Sequence, residues 1–160
     1  MVISDAANQV PERIRHLVYL DAMVPLDGET AVDAHAAAQF QVDRALATDS
    51  GWRLPPPPIV PGLYGLSEAS DLEWLRAMFS DMSVRGLQEP VRLDNPALTA
   101  VPRTHIHCVA NTDAAAVAAS RAVPPIQPNG KPSVVWTLVA DHDCMITAPD
   151  ELAKLLLKLA

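Results

Sequence analysis

The sequence predicts an α/β fold: a short parallel sheet of about three strands, flanked by helices and interrupted by a helical insertion. Three observations carry that expectation. Short apolar runs bounded by turn residues recur at Leu17–Leu20, at residues 104–110 and at residues 133–140, the pattern of strands buried on both faces. Strand and helix alternate from Thr104 onward, so successive strands should lie parallel and be joined by right-handed crossovers. Composition changes between Ala22 and Asn95, which marks residues 22–95 as an inserted helical segment and residues 1–21 with 96–160 as the sheet-bearing core.

Taken in order, Val2, Ile3, Ala6, Ala7 and Val10 fall at helical spacing before Pro11. No capping residue precedes them, so the chain is expected to open inside a helix. Asp21 stands at the end of the first strand. Within the insertion, residues 30–48 are Ala-rich with helical periodicity, Pro55 to Pro58 form a stiff extended spacer, and residues 70–79 read as helix. After the second strand, residues 113–122 read as an Ala-rich helix and Gly130-Lys131-Pro132 as a turn before the third strand. Thr147 is expected to cap the last helix, whose first turn holds Pro149, Asp150 and Glu151 and whose Leu152, Leu155, Leu156 and Leu159 form one apolar face.

Composition narrows the function. A net charge of -7 argues against nucleic acid and anionic membranes as partners, because both select clustered Lys and Arg. The apolar residues, 49% of the chain, never form the run of roughly 18 to 20 that spans a bilayer. The start lacks the basic and apolar blocks of a secretory signal, so a cytoplasmic location is expected. Cys108 and Cys144, the 2 cysteines, are expected as free thiols acting as small buried hydrophobes. With 6 glycines there is neither a P-loop nor a G-x-G-x-x-G turn, so no cofactor is expected.

Four segments resemble the bacterial α/β-hydrolases related to plant methylesterases and hydroxynitrile lyases. They are Met1-Val-Ile-Ser4; Val10-Pro-Glu-Arg-Ile14; Val18-Tyr-Leu-Asp-Ala-Met-Val-Pro25 with Asp27-Gly28; and Asp141-His-Asp143 followed by Thr147-Ala-Pro-Asp-Glu-Leu152. The resemblance covers nearly the whole chain, strongest at its two ends and weak across residues 22–95. It implies a partial α/β-hydrolase fold with a helical lid, cleaving a small carboxylic ester through an acyl-serine. The sequence departs from the family in carrying no G-x-S-x-G elbow. The family's early strands, oxyanion-hole loop and serine are therefore expected upstream of Met1.

On that resemblance His142, on the loop leaving the third strand, is the general base. Its acid is Asp21 or Asp113, two positions at which relatives keep the carboxylate. Asp21 is favoured, because Asn111-Thr-Asp113 also reads as a helix cap. Trp52, Tyr64 and Trp74, with Leu63 and Phe79, are candidates for the wall of a substrate pocket. Ser4 is a poor substitute nucleophile, since a serine inside a helix lacks the strained turn that exposes its hydroxyl.

Two other readings compete. One is a non-catalytic pseudoenzyme or small-molecule-binding module. The other is a metal-dependent enzyme using His105 and His107, which alternate onto one face of the second strand, with Cys108, His142 and Cys144 as further potential ligands. Against it, Cys108 points to the opposite face, and no C-x-x-C or H-E-x-x-H is present. Without upstream strands, Leu17–Leu20 would present an unpaired edge and an uncovered apolar face, which predicts marginal stability or self-association through that edge.

Overall fold

The computed structural model describes residues 1–110 and 123–159. The helix expected over residues 113–122 lies outside them. In chain order the elements are α1 (Val2–Gln9), β1 (Leu17–Leu20), α2 (Ala31–Ala34), α3 (Ala36–Leu46), β2 (Arg53–Leu54), α4 (Ala69–Met78), β3 (Met82–Ser83), α5 (Arg85–Gln88), β4 (Arg103–Cys108), β5 (Val134–Leu138), α6 (Cys144–Thr147) and α7 (Pro149–Leu156). They divide into two compact units, one made of Val2–Val24 with Asp94–Ala160 and the other of Met1 with Pro25–Leu93.

The first unit holds a three-stranded sheet in the order β1-β4-β5, parallel throughout, as the strand pattern predicts. The strands are short, and β4 sits between its neighbours with residues 104–108 all buried. Alternation of side chains along a strand sorts these residues onto two faces. Ile106 and Cys108 join Leu138, Ala140, Cys144 and Leu152 in an apolar cluster, against which Val18, Leu20, Trp136 and Leu155 pack. His105 belongs to the opposite face and stacks on Tyr19, its partner in the β1 register, with ring centroids 5.1 Å apart.

Helix α1 is tied to that second face by a hydrogen bond of 3.1 Å between the Ser4 and Tyr19 hydroxyls. Asn8 extends the attachment. Its Nδ2 donates to Asp94 Oδ1 at 3.0 Å, its Oδ1 accepts from the Asn95 N–H at 2.8 Å, and its carbonyl accepts from Asn95 Nδ2 at 2.8 Å. Asn95 in turn caps the 3-10 turn Pro96–Ala100 that leads into β4.

At the carboxyl end of the chain, Thr147 does not cap the last helix. It closes α6 instead, its hydroxyl donating back to the Asp143 carbonyl at 3.4 Å. Ala148 takes the cap position of α7 without a side-chain bond, and Pro149 at the first helical position leaves one fewer N–H in need of a partner. Leu152 is buried and Leu155 packs on the same cluster, whereas Leu156 is 41% exposed, so the apolar stripe is narrower than the sequence suggests.

In the second unit the helix expected over residues 30–48 is broken at His35, whose backbone is extended. Thr30 and Asp33 form a reciprocal capping box on α2, and His35 Nδ1 accepts from the Ala37 N–H at 3.2 Å to start α3. Val42, Ala45, Leu54 and Val84 form one apolar cluster of the unit, with Val32 and Leu87 against it. The two-residue strands β2 and β3 pair antiparallel, and Pro55 to Pro58 carry no regular structure. Among the described residues no helix is long and apolar enough to cross a membrane.

Candidate active site

The carboxyl ends of the three parallel strands bring Asp21, Cys108 and His142 together, the edge at which open α/β sheets place their ligands. Asp21 follows β1 directly and adopts a left-handed backbone, with φ at 42°. Among residues with a side chain, Asp tolerates this region better than most. Its own N–H donates to the Ile106 carbonyl at 2.7 Å, extending the β1–β4 ladder one step past the strand. The turn thereby aims the carboxylate across the end of β4.

That carboxylate is 7% exposed and accepts on both oxygens. Oδ1 takes the Cys108 backbone N–H at 3.2 Å. Oδ2 lies 2.7 Å from His142 Nδ1. A carboxylate can only accept, so the ring must carry its proton on Nδ1, and the neutral imidazole keeps its lone pair on Nε2. Half of the His142 side chain, 51%, is exposed. The arrangement holds one tautomer of a half-exposed imidazole and places a negative charge where an imidazolium would need one.

The loop that carries His142 is fixed at both ends. On its near side the Ala110 N–H donates to the Ala140 carbonyl at 3.1 Å, coupling the loop to the end of β4. On its far side Cys144 starts α6, fully buried in the apolar cluster. The neighbouring Asp143 is part-buried, which pushes its carboxyl above the usual range, while the nearby His142 pulls the other way. Burial likewise pushes the Cys144 thiol up.

Asp113 is outside the described residues. Ser4 is buried in α1 with its hydroxyl on Tyr19. His105 and His107 are both buried, and burial, with the charges of His107 and Arg103, lowers His105 to about 4, which keeps that ring neutral. Among the described residues no three His, Cys, Asp or Glu side chains gather as metal ligands. In the second unit Trp52 lines an open groove with Arg53, Ser80 and Asp81, Arg53 lying over the Trp52 ring at 5.1 Å and 3.7 Å from Asp81. Tyr64 sits in the 3-10 turn Leu63–Gly65 with a left-handed backbone, and Trp74 is exposed on α4.

Sequence reasoning missed the Cys108 amide. Its role depends on the β1–β4 register, and no residue type encodes a backbone donor.

No protein-family model matches the chain, and no curated protein matches it in sequence. Solved structures do match in shape. With a TM-score of 0.67 and 17% identity, the chain is similar to an extracellular α/β-hydrolase from a Paenibacillus species, described as sharing structural and functional homology with tobacco salicylic acid binding protein 2; the match covers 99% of this chain and 67% of that one. A pyrethroid hydrolase from Sphingobium faniae JZ-2 matches with a TM-score of 0.61 and 21% identity, over 98% of this chain and 64% of that one. At such identities the likeness is one of fold. The parallel sheet and its helices match part of the α/β-hydrolase fold, and the chain spans about two thirds of the length of each structure it resembles.

Proposed function

We propose that this chain is the carboxyl-terminal part of a serine carboxylic-ester hydrolase of the bacterial methylesterase-like type, carrying the general base and its acid but not the nucleophile. The observation that supports this most is the 2.7 Å hydrogen bond between Asp21 and His142 at the carboxyl edge of the parallel sheet. In this reading His142 Nε2 takes the proton of a serine hydroxyl supplied by a segment upstream of Met1. The serine oxygen attacks the ester carbonyl, and His142 returns the proton to the leaving alcohol. A water activated by the same nitrogen then cleaves the acyl-serine. Asp21 keeps the proton on Nδ1 before the transfer and stabilises the imidazolium after it.

The substrate class is a small ester. A match to a pyrethroid hydrolase supports it, as does the exposure of Trp52, Tyr64 and Trp74, the aromatics we assign to substrate selection in the lid formed by residues 22–95. By itself the chain should be nearly inactive, because losing a nucleophile and oxyanion donors costs several orders of magnitude in rate.

A fluorophosphonate probe tests the reading. The 160-residue chain should remain unlabelled, Ser4 included, while a polypeptide extended with the upstream coding sequence should be labelled on an elbow serine and should hydrolyse p-nitrophenyl esters in a His142-dependent way. Equal hydrolysis by the extended His142→Ala variant would overturn it. The reading of a non-catalytic binding module rests on the burial of Ser4 against Tyr19, and the same experiment decides between them.

The reading also bears on partners. Strand β1 is at the edge of the sheet, and we propose that its outer side pairs with a further strand, from a second copy when this chain is alone. Light scattering during size-exclusion chromatography should then give a dimer that dissociates on dilution. A stable monomer with a cooperative melt at every concentration would count against pairing.

A further inference from the structure

The groove in the second unit gathers two opposite charges, a hydroxyl and an aromatic ring. Trp52 directly precedes β2 and Arg53 opens it, while Ser80 and Asp81 come from the segment before β3. Backbone bonds fix the spacing between these two stretches. Arg53 stands opposite Ser83 in the antiparallel register, the Val84 N–H donates to the Trp52 carbonyl at 2.9 Å, and the Arg53 N–H donates to the Ser50 hydroxyl at 3.1 Å. The groove has a volume of about 460 Å³, within the roughly 300–1,000 Å³ that small-molecule sites occupy.

The charged heads are close without being joined. Arg53 Nη1 lies 3.7 Å from Asp81 Oδ2, beyond hydrogen-bond length, and the two side chains are 56% and 44% exposed. An exposed pair of this kind contributes little to stability, so a ligand that comes between the heads gives up little. Arg53 also lies over the Trp52 ring at 5.1 Å, yet Trp52 is still 48% exposed, which leaves indole surface for a second ring. A simple carboxylate drawn to Arg53 would be repelled by Asp81, and a simple cation drawn to Asp81 would be repelled by Arg53. A molecule that carries both charges on neighbouring atoms of one carbon, with an aromatic ring attached, complements all four side chains.

We propose that this groove is a binding site for a free aromatic α-amino acid. Its carboxylate takes the guanidinium fork of Arg53 and the Ser80 hydroxyl, its ammonium donates to the Asp81 carboxylate, and its ring lies on Trp52. The inference goes beyond the hydrolase reading and does not depend on it, since no side chain of the groove takes part in the proton transfer and the ligand is bound without being cleaved. Because the groove is open to solvent, both charge contacts are screened, and binding should weaken as salt is raised.

The test is to titrate L-phenylalanine into the folded 160-residue chain and follow the indole N–H resonance of Trp52 by NMR, identified by its loss in Trp52→Phe. The expected result is a saturable shift with a Kd on the order of 1 mM or tighter. N-acetyl-phenylalanine, which lacks the ammonium, and phenylalaninamide, which lacks the carboxylate, should each bind about tenfold more weakly or worse, and alanine should fall behind for want of a ring. Arg53→Gln and Asp81→Asn change exposed side chains and should stay folded by circular dichroism. Arg53→Gln should bind phenylalanine no better than phenylalaninamide, and Asp81→Asn should bind it no better than the acetylated form. Absence of a saturable shift up to the solubility limit of phenylalanine would overturn the proposal. Equal binding of the amino acid and its two derivatives, or unchanged affinity in both variants, would overturn it as well, since ring stacking on Trp52 alone would then account for the shift.

Discussion

Asp21 occupies a backbone region that costs a side-chain-bearing residue on the order of 1–3 kcal/mol, and it is held there by hydrogen bonds from its own N–H and to both carboxylate oxygens. Substitutions should separate these contributions. Asp21→Asn keeps a residue that accepts the left-handed turn and an oxygen for the Cys108 N–H, so it should cost no more than about 1 kcal/mol in urea denaturation. Asp21→Ala loses both and should cost about 2–3 kcal/mol. The Ser4–Tyr19 bond is a second residue-scale test. Tyr19→Phe leaves a buried Ser4 hydroxyl without that partner, and a double-mutant cycle with Ser4→Ala should return a coupling of about 1 kcal/mol.

At the scale of elements, α7 packs on the sheet's apolar cluster through Leu152 and Leu155. Leu152→Ala should therefore cost about 2–4 kcal/mol, measured by the shift in urea midpoint at unchanged slope. The three sheet strands were legible in the sequence as short runs between turn residues, but only β4 is buried on both faces as those runs predict; β1 alternates buried with half-buried residues, and β5, an edge strand, is largely exposed before Leu138. The helix break at His35 was not, because an Ala-rich run keeps its helical pattern across a single extended residue. Thr147 misled for a different reason: a threonine before proline and two acids has the pattern of a cap, yet its hydroxyl is taken by the carbonyl four residues back. The Asp21–His142 juxtaposition was one of two pairings that the family resemblance implied, and the other, with Asp113, lies outside the described residues. The positive φ of Asp21 and the Cys108 donor could not be anticipated, since both arise from how β1 and β4 align.

For the molecule as a whole, acid should be the weak direction. His105 is lowered to about 4 in the folded state, against roughly 6.5 unfolded, so between these values the unfolded chain binds more protons. Stability from this ring is complete above about pH 6.5 and is lost progressively as pH falls toward 4, a contribution on the order of 2–3 kcal/mol. His16, also lowered by burial, adds in the same sense, and Asp143, whose carboxyl is raised, opposes at the acid end. Urea midpoints across this range should fall with pH in the wild type and much less in His105→Gln. All of these effects surround one central claim, that His142 and Asp21 act as a single proton-handling unit. Proton NMR of the His142 ring tests it most directly: a low-field Nδ1 resonance should be present in the wild type and absent in Asp21→Asn, whereas its absence from the wild type, or its persistence in that variant, would contradict the account.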